Sequence, residues 1–462
     1  MSSCCNEFSR SSLVRQAVAE AGSGLPGVEP GMPVPAGTGL DRRSFVLRSA
    51  GMALAVYGAG ALKLPLFEEG VLEAAEAAPT QPVLVSLFLD GGADSLSLLA
   101  PVGDPDYRRL RPKLALPDSG LAFTEDARLR WHPSAASLRT LHLEGKLTVV
   151  PTVGYTDADQ SHFTSRHYWE VGATNPGLRT GWLGRYLDKA GRPDNPLQGL
   201  SLDGELAPPL ATTRAPVAAL RGADRYTFWA PGVWGDVERE MLETLAPLGN
   251  ARGAGDEALA AIANTATQAG RLRDQLGVFT NGSQDGNRFG SPVVYPEHRS
   301  GFPQRLAGLA AMLAAGLPLR CVALRAYGMY DTHADQPESF AQGLKLTSES
   351  LLAFQRDLEA RGLADRVLTL VWSEFGRRGE ENGSDGTDHG AAGIALLLGT
   401  RARGQMIGEL PRLRDALDKH GNLKPTVDYR SIYSSLLEQW FDFDAAGAIT
   451  NARAYRRLQL VR

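Results

Sequence analysis

The sequence predicts an α/β fold: a three-layer α/β/α sandwich with a mostly parallel central sheet. Several short runs of β-branched and aliphatic residues are apolar throughout, which is typical of strands buried on both faces of a sheet. Helical patterns lie between these runs, so strands and helices alternate along the chain. No period of 20–50 residues repeats, which excludes a solenoid.

Five runs carry the strand pattern, and each is followed within two residues by Gly, Asp or Glu: residues 83–89, 147–153, 320–326, 367–372 and 394–398. Residues 302–315 and 339–361 carry helical patterns. We expect the strands at 83–89, 320–326 and 367–373 to be neighbours whose polar ends share one edge of the sheet. Ligands of open parallel sheets collect beyond the carboxyl ends of the strands, so this edge is the predicted site.

Residues 79–462 are predicted to form one domain, with an insertion or cap at about 189–300. That stretch is rich in proline and then carries helical patterns at 238–248 and 256–275. A loop of Gly, Asn, Ser and Asp follows at 281–288. These features differ from the alternating strands and helices on either side.

Composition is that of a soluble globular protein. The 462 residues are 43% hydrophobic and 22% charged, which excludes disorder throughout the chain. The net charge of -4 offers no broad basic surface, so nucleic acid is not an expected partner. The sequence does not indicate an oligomeric state.

Residues 1–78 are predicted to be a leader with a twin-arginine signal peptide. Arg42 and Arg43 precede a short, weakly apolar stretch at 50–62, and Ala75-Glu76-Ala77 supplies a cleavage pattern. An amphipathic N-terminal helix and an uncleaved anchor are the alternatives. Export would place the protein in the periplasm or outside the cell, with the twin-arginine machinery as a partner. This route carries folded proteins, and so it suits a cofactor loaded in the cytoplasm.

Three cysteines are present. Cys4 and Cys5 precede the signal and would be lost with it, whereas Cys321 lies in an apolar run and is predicted to be a buried strand residue. The mature chain is therefore expected to have no internal disulfide.

Polar residues with ligand chemistry follow the first predicted strand. Gly91 and Gly92 would allow a tight turn that brings backbone N–H groups close to an anion. Asp94 and Ser95 would then begin a helix, and helix capping is the alternative role for both.

Carboxylates and imidazoles also follow later strands. Asp331 and His333 suit a hard or borderline divalent metal, although a surface loop with an Asx turn is the alternative. Glu374 follows a fully apolar strand and needs a partner, which would be Arg377, Arg378 or a metal.

Asp388 and His389 are adjacent and lie between Gly386 and Gly390, so an irregular loop could aim both side chains at one ion. The alternative is two loop residues without a shared target. His162 could bind an anion. The sequence contains no Walker motif, G-x-S-x-G elbow, H-E-x-x-H or G-x-G-x-x-G.

Seven stretches together resemble the exported bacterial family called "domain of unknown function 1501", which is grouped with the alkaline phosphatase and sulfatase superfamily. They span roughly residues 82–440, and a twin-arginine leader is usual in that family. The stretches are 88–96 (FLDGGADSL), 107–112 (YRRLRP), 161–163 (SHF), 181–185 (GWLGR), 331–333 (DTH), 373–377 (SEFGR) and 387–390 (TDHG).

The resemblance implies an alkaline phosphatase-like fold, with a mixed central sheet and divalent metal ligands at strand ends. It implies that Asp90 or Asp94 binds metal beside a nucleophile, for which Ser95 is the candidate. It also matches Asp388-His389 to a metal-binding pair of the superfamily. The spacing of Asp331 and His333 is shorter than in the superfamily's usual metal loop, and relatives often lack a hydroxyl where Ser95 stands.

These observations predict a metal-dependent hydrolase of phosphate or sulfate esters, with Zn, Mn, Ca or Mg as cofactor and a small-molecule or glycan ester as substrate. About two ions per chain would favour this function. The alternative is a non-enzymatic envelope protein that binds a glycan or an exported partner. The candidate catalytic residues are Ser95 and His162. The candidate metal ligands are Asp90, Asp94, Asp331, His333, Glu374, Asp388 and His389.

Overall fold

The computed structural model describes residues 56–57, 81–224, 240, 244, 257–280 and 289–462. Arg42, Arg43 and the predicted cleavage pattern lie outside the described residues, as do the loop at 281–288 and most of the helical pattern at 238–248. None of the helices in these ranges is long and apolar enough to cross a membrane.

The fold is built on a central sheet that has nine strands in the described part of the chain, in the order β1-β8-β7-β9-β2-β10-β13-β6-β14. Strands β1 and β13 run antiparallel to their neighbours, and the other adjacent pairs are parallel. In chain order the strands are β1 (Val56–Tyr57), β2 (Val83–Phe88), β3 (Leu99–Ala100), β4 (Leu121–Ala122), β5 (Arg130–Trp131), β6 (Leu147–Gly154), β7 (Gly199–Ser201), β8 (Val217–Ala219), β9 (Cys321–Arg325), β10 (Val367–Trp372), β11 (Arg377–Glu381), β12 (Thr387–His389), β13 (Gly393–Leu398) and β14 (Val427–Asp428).

The α-helices are α1 (Ser95–Leu98), α2 (Pro105–Leu110), α3 (Ala136–Leu143), α4 (His162–Val171), α5 (Trp182–Ala190), α6 (Glu257–Thr280), α7 (Phe302–Ala314), α8 (Gln336–Ala360), α9 (Leu413–Ala416) and α10 (Tyr429–Gln439). Single 3₁₀ turns lie at Pro133–Ala135, Pro196–Gln198, Pro208–Leu210, Ala364–Arg366, Ala445–Gly447 and Ala452–Ala454.

Helices cover both faces of the sheet. Side chains of α3, α6, α7 and α8 share one apolar core with Val83 and Val85 of β2. Side chains of α4, α5 and α10 share a second core with Leu84 and Phe88 of the same strand. Because successive side chains of a strand point to opposite faces, these two cores lie on opposite sides of the sheet. The predicted three-layer α/β/α sandwich with a mostly parallel sheet is therefore confirmed.

The three strands expected to be neighbours are neighbours. Strand β2 pairs in parallel with β10, with Val83 opposite Val367, and with β9, with Leu84 opposite Cys321. All six residues of β2 and all six of β10 are buried, which explains why each run has only one polar residue, Ser86 in β2 and Thr369 in β10. Cys321 is fully buried within β9, as the sequence predicts.

The predicted insertion at 189–300 differs from the structure in part. Strands β7 and β8 lie within that range, yet both belong to the central sheet. Each has three residues, too few to give a periodic signal. Helix α6 packs in the same core as β2, so this segment completes one face of the sandwich.

A glycine turn brings the carboxyl ends of β2, β9 and β10 together. Gly91 has φ +117°, and a Cβ atom on it would lie 2.4 Å from the backbone nitrogen of Asp331. A Cβ atom on Gly92 would lie 2.3 Å from the ring of Phe375. Only glycine fits these two positions, because both the backbone conformation and the available space exclude a side chain.

Candidate metal centre

Three histidines and one carboxylate converge beyond the carboxyl ends of these strands. His162 begins α4, His389 ends β12, and Asp331 and His333 lie in the loop after β9. His162, Asp331 and His389 each offer one ligand atom, and these atoms lie within 4.8 Å of one another. The His333 Nε2 atom lies 3.0 Å from the Nε2 atom of His389.

Three of these atoms form a compact triangle. Asp331 Oδ1 lies 3.1 Å from His333 Nε2 and 3.3 Å from His389 Nε2, and the two nitrogens are 3.0 Å apart. Ligands about 2.0–2.1 Å from a tetrahedral zinc ion lie about 3.3 Å from one another. The triangle therefore has the dimensions of one face of a tetrahedral site. His162 Nε2 approaches the other carboxylate oxygen, Asp331 Oδ2, at 3.5 Å.

Two of the histidines are oriented by acceptors behind them. His389 Nδ1 lies 2.8 Å from the carbonyl oxygen of Gln160, which can only accept, so Nδ1 donates. His162 Nδ1 donates to the Glu374 carboxylate at 2.8 Å. A neutral imidazole that donates from Nδ1 has its lone pair on Nε2, the atom that faces Asp331.

His333 follows the same arrangement. Its Nδ1 atom lies 3.4 Å from the Asp388 carboxylate, on the side away from His389. Metal-binding histidines usually donate their other ring N–H to a carboxylate or a backbone carbonyl, and the other ring nitrogen of each of these three faces such a group. Acceptor nitrogens this close to one another and to a carboxylate repel unless protons or a cation lie among them.

Arg377 anchors the carboxylate of Asp331. Its Nη2 atom lies 2.6 Å from Asp331 Oδ1, and the guanidinium is fully buried. Burial raises the pKa of Asp331, but its close contacts with the rings of His162, His333 and His389 and the charge of Arg377 outweigh it. The pKa therefore lies well below its usual value, and Asp331 is an anion at neutral pH.

Glu374 contacts the Nδ1 atom of His162, on the side of the ring that faces away from Asp331. Its fully buried carboxylate accepts from His162 Nδ1, from the backbone N–H groups of Gly91 and Gly92, and from Ser373 Oγ. Burial raises its pKa, but the hydrogen bond from His162 and those from backbone N–H groups outweigh this, so the pKa lies below its usual value and the group is ionised. From the sequence, the partner of Glu374 was expected to be Arg377, Arg378 or a metal. In the structure, Arg377 instead forms an ion pair with Asp331.

Asp94 lies in a separate buried ion pair. Arg111 contacts it through Nη1 at 2.5 Å and Nη2 at 3.0 Å, and both side chains are fully buried. Ser97 Oγ and Gln336 Nε2 also donate to it, each at 2.6 Å. Burial raises its pKa, but the charge and hydrogen bonds of Arg111 outweigh this and hold the pKa below its usual value. Asp94 also caps α1 by accepting from Leu96 N, the alternative role that the sequence offered.

The other predicted residues lie around the cluster without joining it. Asp90 faces Arg325 at 3.1 Å and Arg166 at 3.8 Å. Ser95 is buried, and its Oγ has no hydrogen-bond partner among the described residues. The Asp388 side chain is 49% exposed and reaches the cluster only through His333. The structure thus brings together Asp331, His333, His389 and His162. Glu374 and Asp388 contact this cluster through the Nδ1 atoms of His162 and His333.

Sequence reasoning missed one backbone group that holds the site and the partners of two buried arginines. The carbonyl of Gln160 holds His389, and a backbone group leaves no signal in a sequence. Arg377 and Arg111 stood in the recognised stretches, but only the fold reveals that their partners are Asp331 and Asp94.

Comparisons with known proteins agree with part of the resemblance. The family model described as "Protein of unknown function (DUF1501)" matches residues 239–450, which include Asp331, His333 and His389. The stretches before residue 239 lie outside this match. No curated protein matches the chain.

Three solved structures resemble the chain at 10% sequence identity. The crystal structure of Ps i-CgsB has a TM-score of 0.34 and covers 81% of this chain and 74% of its own. Its complex with k-i-k-neocarrahexaose has a TM-score of 0.32, with 81% and 73% covered. A protein in the alkaline phosphatase superfamily from Vibrio parahaemolyticus has a TM-score of 0.32, with 85% and 73% covered. Similarity this low says nothing about the reaction of this chain.

Proposed function

We propose that the protein is a metal-dependent hydrolase of anionic esters, of the phosphate or sulfate class. The observation that carries the proposal is the convergence of three Nε2 atoms on Asp331 while each Nδ1 faces an acceptor. This arrangement suits a divalent cation, which would lie among one anionic and three neutral ligands. The cation would offset the repulsion among the acceptor atoms.

The ligand set indicates which ion is bound. Three imidazole nitrogens and one carboxylate suit zinc or a similar transition metal, whereas calcium and magnesium prefer oxygen ligands. We expect one ion per chain rather than about two, because Glu374 is already saturated by donors. The Phe375 ring, with its centroid 4.9 Å from that of His162 and 4.7 Å from that of His389, fills the space beside the cluster.

The protein's own groups would bind and orient the ester. The ion would supply Lewis-acid polarisation of the ester and activation of water, for which it would need a coordination position beyond its four protein ligands. Ser95 is not expected to attack, because no described residue accepts a hydrogen bond from its Oγ and so none is placed to take its proton. We therefore propose water as the nucleophile.

Arg378 supports an anionic substrate. Its side chain is 43% exposed and lies 4.0 Å from Asp388, a loose contact for an ion pair. Its Nε atom is buried and has no hydrogen-bond partner among the described residues. A phosphate or sulfate oxygen could contact the exposed part of the guanidinium, whose planar shape matches such groups in two-point contacts.

Replacing Arg378 by alanine is expected to weaken substrate binding. A hydrogen bond to a charged group contributes about 1.5–3 kcal/mol, so KM for an aryl phosphate or sulfate should rise about 10- to 100-fold, with a smaller change in kcat. Steady-state kinetics of the zinc-loaded protein would measure this. Arg378→Lys should restore part of the binding, and Arg108→Ala, at an exposed ion pair with Asp118, should change nothing.

Two results would count against the proposal. A metal-loaded protein that hydrolyses neither ester class would favour the non-enzymatic binding protein. Hydrolysis with an unchanged KM in Arg378→Ala would retain the activity but remove Arg378 from substrate recognition.

We further propose that the protein is exported by the twin-arginine route and works in the periplasm or outside the cell. Replacing both Arg42 and Arg43 by lysine should leave the precursor in the cytoplasm, because the paired guanidinium groups are the most specific feature of the signal. Cell fractionation would measure this. Unchanged export in a host that lacks the twin-arginine machinery would contradict it.

A further inference from the structure

The glycine turn after β2 was expected to bind an anion, and it faces one from its own chain. The N–H of Gly91 lies 3.0 Å and 3.2 Å from the two oxygens of Glu374, and the N–H of Gly92 lies 3.0 Å from Oε2. Ser373 Oγ adds a contact at 3.0 Å. The fourth donor is His162 Nδ1, at 2.8 Å from Oε1.

Arg377 donates hydrogen bonds to the carbonyl oxygens of the same turn. Its Nε atom donates to the Gly92 carbonyl at 2.7 Å, and its Nη2 atom donates to the Gly91 carbonyl. The same Nη2 atom contacts Asp331 Oδ1 at 2.6 Å. Two residues three positions apart therefore hold both the N–H and the C=O groups of one turn. Each also holds one candidate ligand, His162 through Glu374 and Asp331 through Arg377.

We infer that Glu374 is a positioning residue that fixes His162 in its metal-binding tautomer and aligns it with Asp331 through the Gly91–Gly92 turn. The inference rests on the proposed metal binding and assigns Glu374 a role other than that of a ligand. A carboxylate only accepts, so it selects the tautomer with hydrogen on Nδ1 and the lone pair on Nε2. The saturated oxygens of Glu374 leave it no place in the ligand set.

Glu374→Gln tests the tautomer directly. A glutamine whose oxygen replaces Oε2 keeps the contacts to Gly91, Gly92 and Ser373, three of the four donors, and its amide NH₂ then faces His162. That NH₂ donates, so the imidazole must accept at Nδ1 and carry its hydrogen on Nε2, which cannot then bind a metal. Zinc affinity, measured by competition with a chromogenic chelator, should fall about 10- to 100-fold.

Glu170→Gln is the matched control. Glu170 is also a buried carboxylate on α4, but it pairs with Arg166 at 2.7 Å, and among the described residues no hydrogen bond or ion pair joins it to the cluster. Its variant should bind zinc as the unaltered protein does. Equal zinc affinity in the two variants would overturn the inference, whereas absence of zinc binding by the unaltered protein would overturn the proposed function instead.

A measurement on the unaltered protein keeps the inference testable if Glu374→Gln does not fold. In the zinc-loaded protein, nitrogen NMR of labelled histidine should show His162 with a hydrogen on Nδ1 and with Nε2 bound to the metal. A hydrogen on Nε2 of His162 would overturn the inference.

Discussion

Asp331→Asn is expected to abolish tight metal binding while leaving the fold intact. Asparagine has nearly the same shape, and Arg377 keeps its contacts with backbone carbonyl oxygens, so the loops stay in place. The variant removes the carboxylate at which three imidazoles and Arg377 meet. Removing a residue that only contacts a metal ligand lowers metal affinity by about 10- to 100-fold, and removing Asp331 should lower it by more.

Thermal unfolding with and without zinc would measure this effect. An ion present at 100 times its dissociation constant stabilises a folded protein by about 2.7 kcal/mol. The unaltered protein should show such a gain, and Asp331→Asn should show none. The melting temperatures of the two proteins in excess chelator would report any separate loss of stability.

Asp388→Asn is the informative comparison. Asp388 contacts His333 Nδ1 at 3.4 Å and is half-exposed, so we expect its variant to weaken zinc binding without abolishing it. If Asp388→Asn loses the ion and Asp331→Asn retains it, the Asp388-His389 pair is the ligand set that the resemblance implied, and the assignment of Asp331 is wrong.

Arg111→Ala is expected to destabilise the fold strongly. Arg111 and Asp94 are both fully buried and 2.5 Å apart, and removing the arginine leaves an unpaired buried carboxylate. Breaking a buried pair in this way costs about 3–5 kcal/mol. The guanidinium also donates to the carbonyl oxygens of Gly379 and Arg378, and these bonds would be lost too.

Urea unfolding would measure the loss, with Arg109→Ala as the control. Arg109 forms an ion pair with Asp106, but its side chain is 67% exposed, so its removal should cost only about 0–1 kcal/mol. Asp94→Asn should also destabilise the fold yet leave the zinc content unchanged. If Asp94→Asn loses the ion, Asp94 is a metal ligand after all, as the sequence predicted.

The sequence predicted the central strands well because burial on both faces makes a strand apolar at every position. Strands β2, β9 and β10 end within a residue or two of their predicted limits. Strands β7 and β8 were missed because three residues carry no period. Their place in the sheet depends on pairing with β9.

The site was harder to predict because several carboxylates follow strand ends in similar settings. Asp94 and Asp331 cannot be told apart by their neighbours in the chain. Their roles are set by arginines 17 and 46 residues away in sequence, of which Arg111 ties Asp94 to the fold and Arg377 turns Asp331 towards the histidines. His162 was expected to bind an anion, and its Nδ1 atom contacts the Glu374 carboxylate, but its other nitrogen faces Asp331.

The most direct test is an anomalous difference map from crystals of the zinc-loaded protein. We predict one peak per chain, about 2.0–2.2 Å from Asp331 and from the Nε2 atoms of His333, His389 and His162. A map without a peak there would mean that protons, not a metal, join these histidines to Asp331. A peak held instead by Asp90, Asp94 or Glu374 would equally contradict the proposed centre.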